Sequence, residues 1–342
     1  MKQTLFNQGW LTWQETDAFS MVWNIPAGAK PVTLPHDAML EQPAHAESPN
    51  GGNTGYRDGG VYVYCKRFHV PVEWREKTIL LRFEGSYCNT FVYLNGQLAA
   101  DHPNGYTGFT VSLNGFLQYG HENELRVFVR DAASSSRWYS GSGIYRNVDL
   151  VVSDKLHVER YGTQITTPSL EEEYTSGEAV TVNIETEVQN DGTTEQTASV
   201  RTSFYDENGE LFGEPSVSEE ITIAADETKS FEQQMTVQNP ELWSTDDPNL
   251  YDVVTEVLVD GEVVDTYHSD FGFRWFEFDA NEGFSLNGEY MKLQGVCMHH
   301  DQGALGAVSN YRAVERQMEI MKDMGVNAIR STHNQASDEL LD

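Results

Sequence analysis

Between residues 60 and 153, apolar positions come in short runs: Val61–Phe68, Thr78–Phe83, Thr90–Leu94, Glu124–Arg130 and Val148–Val152. Each is bounded by Gly, Asn, Pro or Asp, and no helical period separates them, which predicts the strands of a β-sandwich. Leu94-Asn95-Gly96-Gln97 predicts a tight hairpin, because Asn-Gly accepts the positive φ angles of a type I′ turn. The first sixty residues are less regular, and they bring Trp10, Trp13 and Trp23 to cover one face of that sandwich.

A second β pattern runs from Lys155 to Arg274. It alternates in Val180–Ile184 and Tyr251–Val259 and turns at Asn190-Asp191-Gly192, Asn208-Gly209 and Asp260-Gly261. About seven short strands in such a span suggest an immunoglobulin-like sandwich. The segment contains no cysteine, so the inter-sheet disulfide of antibody domains is absent.

After Phe278 the period changes. Tyr290–Val296 reads as a buried strand, Asn310 as the cap of a helix through Met324, Gly325 as its stop, and Val326–Arg330 as another strand. Val314, Met318, Met321 and Met324 fall on one helical face. Strand, helix, strand in this length is a βαβ unit with parallel strands. Two parallel strands make no stable sheet alone, so the expectation is a larger α/β domain cut at Asp342.

Charge narrows the partners. Against 53 Asp and Glu stand 22 Lys and Arg, a net of −31, which excludes a general basic footprint for nucleic acid or an anionic membrane. A neutral substrate is expected. From Thr166 to Ala280 there are 28 acidic residues against three basic ones (Arg201, Lys229 and Arg274), a net of −25. That segment reads as a solvated spacer rather than a site. Cys65, Cys88 and Cys297 are odd in number and far apart, which predicts free, buried thiols and a reducing compartment. No secretory h-region opens the chain and no run nears the ~20 apolar residues of a membrane span, so a cytoplasmic location is expected.

Six motifs then occur in order. They are Leu34-Pro35-His36-Asp37, Tyr64-Cys65-Lys66-Arg67-Phe68, Arg137–Val148, Phe271-Gly272-Phe273-Arg274, Leu286-Asn287-Gly288 leading to Gly295–Asp301, and Asn327–Asn334. With them the chain resembles glycoside hydrolase family 2, and within it the β-galactosidases. The resemblance implies a mainly β protein in three parts. These are a jelly-roll, sugar-binding-like sandwich (1–153), an immunoglobulin-like sandwich (154–275), and the first βαβ unit of a (β/α)8 barrel (276–342). It also implies a retaining exo-β-glycosidase acting on terminal β-galactosides, with β-glucuronidase and β-mannosidase as alternatives within the family. Outside the family, the alternative is a non-catalytic carbohydrate-binding or scaffold protein. The implied partner is a β-linked sugar, no cofactor is needed, and a homo-oligomer is left open.

His299, His300 and Asp301 follow the first barrel strand directly and His333 follows the second. Ligands bind at the carboxyl ends of such strands, and these groups can hold sugar hydroxyls by directed hydrogen bonds. By the resemblance, His333 touches the sugar in the innermost subsite. His299 and His300 are taken as substrate-binding candidates too, but adjacent strand residues point opposite ways, so for each an ordinary loop role stands equally open. Their spacing matches no compact zinc pattern, and no metal is expected. Arg137, Trp138 and Tyr139 either line the same pocket or form a domain-interface loop. Asn53 and His36-Asp37 lie in loops that by resemblance approach the barrel mouth; for His36 and Asp37 a structural turn role is the preferred reading, and Arg330 is read as a buried ion-pair partner of a catalytic carboxylate. No catalytic residue is assigned, because the resemblance places both glutamates on later barrel strands, beyond Asp342.

Overall fold

The computed structural model describes residues 1–15, 24–131 and 138–342. Trp23 and Arg137 therefore lie outside the described residues. The chain is mainly β: a jelly-roll sandwich, an immunoglobulin-like sandwich and the opening of a (β/α)8 barrel. Contacts group it into two compact units, residues 2–152 with 294–342, and residues 153–293 with Met1.

In the unit formed by residues 2–152 and 294–342, a six-stranded sheet and a four-stranded sheet carry the sandwich. The larger runs in the order Lys30–Val32, Trp10–Glu15, Val61–His69, Glu122–Arg130, Thr90–Leu94, Gln97–His102. The smaller runs Lys2–Leu5, Val148–Asp154, Lys77–Phe83, Phe109–Ser112. Period-two alternation decides what is buried. Thr90, Val92 and Leu94 are fully buried while Phe91 and Tyr93 are not. Trp10, Tyr62 and Tyr64 of the larger sheet meet Ile79, Leu81, Phe83 and Leu150 of the smaller one in a single core. The Asn-Gly hairpin forms as expected: Leu94 pairs with Gln97, with φ of 51° at Asn95 and 83° at Gly96. Trp10–Glu15 is regular strand, so the opening segment is more ordered than its sequence suggests.

The barrel opening belongs to this same unit. Gly295–Met298 pairs in parallel with Ala328–Ser331, from Gly295↔Ala328 to Met298↔Ser331. Helix Tyr311–Asp323 connects them, and the Asn310 side chain accepts from the Ala313 N–H at 3.3 Å, the N-cap its sequence predicts. Gly325, at φ 80°, follows the helix where a left-handed stop belongs. On the apolar face Val314 is buried, whereas Met324 is 67% exposed.

The other unit is a sandwich of a three-stranded sheet (Leu156–Thr166, Val180–Asn190, Glu227–Val237) and a five-stranded one. The latter orders Ser216–Val217, Gln196–Tyr205, Tyr251–Val259 and Glu262–Phe271, with Ile221–Ile223 also pairing to Gln196–Tyr205. Val180–Asn190 shows why the acid does not oppose folding: Val182, Ile184 and Val188 point into the core, and Glu185 and Glu187 into water. The one described α-helix of this unit is short, Leu170–Ser176. Glu173 in its first turn accepts from the Thr181 N–H and hydroxyl, both at 2.7 Å.

Two expectations are overturned here. Tyr290–Val296 is not one buried strand. Glu289–Met291 closes a three-stranded antiparallel sheet with Phe276–Asp279 and Gly283–Leu286, and a separate strand begins at Gly295. Tyr290 and Leu293 are 54% and 50% exposed. The expected buried thiols also divide: all three cysteines are free, but only Cys65 is buried, Cys88 is half-buried and Cys297 is exposed.

Candidate active face

The parallel pair Gly295–Met298 and Ala328–Ser331 ends on one side, and the next residues of both strands project from that edge. The Thr332 N–H donates to the Met298 carbonyl at 2.8 Å, which extends the pairing by one step and fixes His333 beside the first strand's end. His299 and His333 then meet ring to ring, with centroids 5.9 Å apart and planes at 90°. Both are exposed.

His300 turns the other way, as strand alternation demands. Its ring lies 5.7 Å from the rings of both Tyr106 and Tyr145, and its Nε2 is buried without a hydrogen-bond partner. Burial, and then the Arg146 guanidinium, hold its pKa below the ordinary histidine value, so it is neutral at pH 7. Arg146 itself donates to the carbonyls of Gln335 at 2.7 Å and Ala336 at 3.3 Å. His300 thus packs at the seam between the sandwich loop and the barrel opening, while His299 faces outward.

The sandwich reaches this edge through residues 138–143. The Trp138 indole N–H donates to Asp301 Oδ1 at 3.2 Å, with the Trp138 side chain 51% exposed. The Tyr139 N–H donates to the Asn53 carbonyl at 2.7 Å, which ties the Asn53 loop to the same strip. The structure therefore brings Asn53, Trp138 and Asp301 into one chain of contacts and His299 and His333 into a pair two residues away along the strand end. Arg330 is exposed among these residues, and its guanidinium reaches Cys297 Sγ at 3.9 Å. Tyr106 carried no sequence signal, because its loop position gives no period and its partner His300 lies far along the chain.

Two carboxyls in this unit are displaced toward neutrality. Burial, followed by the charges of Asp338 and Glu339, pushes Glu84 up to about 7. Burial, followed by Asp37, does the same to Asp131. A carboxyl whose folded pKa lies above its unfolded one holds a proton that the unfolded chain has released. Its contribution is complete below about pH 4 and is lost as pH rises toward about 7. The urea midpoint of this unit is therefore expected to fall between pH 5 and pH 8. Glu84→Gln and Asp131→Asn should each remove about 1–2 kcal/mol of that fall. A wild-type slope unchanged in both variants would assign it to general charge repulsion instead.

The barrel-strand edge thus carries two exposed imidazoles, a carboxylate and an exposed indole on the face where barrels of this kind bind ligands. Three models of glycosyl hydrolases family 2 match in order: its sugar binding domain over residues 37–153, glycosyl hydrolases family 2 itself over 158–274 and its TIM barrel domain over 279–342. The chain belongs to glycosyl hydrolases family 2. It is 41% identical to Beta-galactosidase BoGH2A of Bacteroides ovatus over 310 residues, 90% of this chain and 36% of that protein. It is also 26% identical to a Beta-glucuronidase of Bacteroides fragilis, covering 92% of this chain and 45% of the relative. Among solved structures, a family 2 member from Bacteroides cellulosilyticus superposes with a TM-score of 0.91 at 32% identity, over 100% of this chain and 44% of that one. Bacteroides uniformis beta-glucuronidase superposes at 0.86 with 28% identity, over 99% and 40%. The chain thus spans well under half the length of these proteins. Among the described residues, no helix is long and apolar enough to cross a membrane.

Proposed function

We propose that this chain forms the amino-terminal part of a retaining exo-β-glycosidase that removes terminal β-galactosyl groups. The observation that carries the reading is the Trp138–Asp301 pair at the barrel strand end, beside His299 and His333. An exposed indole offers an apolar face to a pyranose ring, and a carboxylate and imidazoles accept and donate to its hydroxyls. His333 takes the innermost sugar, and Asn53 and Trp138 line the approach. The chemistry needs two carboxyls about 5–5.5 Å apart, one as nucleophile and one as acid/base. The family resemblance puts both on later barrel strands, so these residues bind and orient, and the covalent step belongs to others.

The family includes enzymes named for galactosides and for glucuronides. Asp301 favours the neutral sugar, because a glucuronide carboxylate brought to this edge meets a like charge. The test is kcat/KM for nitrophenyl β-galactoside, β-glucuronide and β-mannoside, measured on the protein that carries this chain. A galactoside preference of about 100-fold or more is expected. A glucuronide preference of that size would overturn the substrate assignment and leave the family standing.

A further inference from the structure

Asp37 sits at the base of the strip that presents Trp138, and its local sequence favours a turn role. It is 3% exposed, and both carboxyl oxygens are saturated by groups from three separate segments. Oδ1 accepts from the N–H of Met39 and of Ser142, each at 3.0 Å. Oδ2 accepts from the Tyr139 hydroxyl at 3.0 Å and the Ala307 N–H at 2.9 Å. The first of these donors caps the short 3-10 helix Ala38–Glu41. The other three belong to the 138–143 loop and to the loop after the first barrel strand, which are the two segments that hold Trp138 and Asp301.

The surroundings fit the carboxylate closely. Gly141 and Gly306 both take φ of 65°, and a Cβ on either would lie 3.0 Å and 2.2 Å, respectively, from Asp37 Oδ2. Both loops thus pass close enough to this oxygen to leave no room for a side chain. A buried ionised carboxylate persists only when its lone pairs are met, so four directed donors fix the two loops relative to each other. Loss of one oxygen's acceptor character would leave Tyr139 and Ala307 without a partner and free both loops.

We infer that Asp37 is a positioning residue of the sugar site: its Oδ2 ties the Trp138 loop to the Asp301 loop and so holds the indole against the strand-end carboxylate. This rests on the glycosidase reading above. The role lies in substrate orientation, not in contact with the sugar.

The experiment uses the protein that carries this chain and compares Asp37→Asn, Trp138→Phe and the double variant, at a temperature where far-UV circular dichroism shows each folded. Asp37→Asn should lower kcat/KM for nitrophenyl β-galactoside by about tenfold or more, mostly through KM, and the double variant should lose no more than the worse single one. A merely structural role would lower the melting temperature and leave kcat/KM within twofold, or give additive losses; either result overturns the inference. Should Asp37→Asn not fold, Tyr139→Phe, which removes one hydroxyl, takes its place in the same cycle. If the wild-type protein turns over no β-glycoside, the functional reading fails on its own. Amide hydrogen exchange then decides the positioning role: residues 139–142 and 305–308 must lose protection together in the variant, and loss confined to residues 38–42 would contradict it.

Discussion

Residues 1–342 purified alone are expected to turn over nitrophenyl β-galactoside no faster than a buffer blank, even at high protein concentration, and under the proposal above hydrolysis is expected only from a chain that also carries the later barrel strands. The two described barrel strands bring a single carboxylate, Asp301, to their ends, and one carboxylate cannot serve as both nucleophile and acid/base. General acid–base catalysis alone contributes roughly 10²–10⁴-fold, and the covalent route adds further orders. Nor can His299 and His333 replace a carboxylate that must form a glycosyl ester. Rates with and without His333→Ala separate this chain from a contaminating host enzyme. Turnover that persists in residues 1–342 and falls in the His333→Ala variant would place a complete site within them and contradict the mechanism proposed here.

The largest stability loss is expected from Phe273→Ala. Phe273 is fully buried, and its ring meets those of Tyr251 at 5.2 Å and Phe271 at 5.0 Å, both near perpendicular, and those of Phe204 and Phe212 at 6.3 and 6.4 Å. Truncating such a residue leaves a cavity that its neighbours close only in part and costs about 3–5 kcal/mol, with the lost edge-to-face pairs included. Urea unfolding of the chain should show that loss as a lower midpoint. The comparison is Phe276→Ala: that ring is 61% exposed, and its removal should change stability by less than about 0.5 kcal/mol. Equal effects from the two would mean that Phe273 is not the centre of its core.

Phe273 also shows what local sequence carries. The motif Phe271-Gly272-Phe273-Arg274 is recognisable as a family mark, and its physical reason is this aromatic cluster, to which alternation along the neighbouring strands already points. The Asn95-Gly96 turn and the Asn310 cap were equally legible, since each is a local backbone requirement met by one residue type. The apolar run Tyr290–Val296 misleads for a related reason. Its apolar residues fit a buried strand, but Asn287-Gly288, with φ of 51° and 82°, is itself a hairpin turn. The chain must therefore return antiparallel at once through Glu289–Met291. Weighing that turn above the apolar run would have split the segment correctly.

The site was legible only in part. The positions of His299, Asp301 and His333 at strand ends follow from the βαβ pattern, and the structure brings the two exposed imidazoles together. Which of His299 and His300 faces outward depends on Tyr106 and Tyr145, whose rings approach His300 from far along the chain. Asp37 lies further out of reach: its partners Tyr139 and Ala307 are 102 and 270 residues away. No periodicity reports contacts at such separations. A buried aspartate with a turn-like sequence around it carries the same local signal whether it closes one turn or joins three segments.

The most direct test of the strand-end cluster as the sugar-holding edge is His333→Ala in the protein that carries this chain, with kcat and KM measured on nitrophenyl β-galactoside. A hydrogen bond to the innermost sugar, tightened as charge develops, should make the substitution cost about 10²-fold or more in kcat/KM, measured where far-UV circular dichroism shows the variant folded. A variant within twofold of wild type would show that the sugar is held elsewhere.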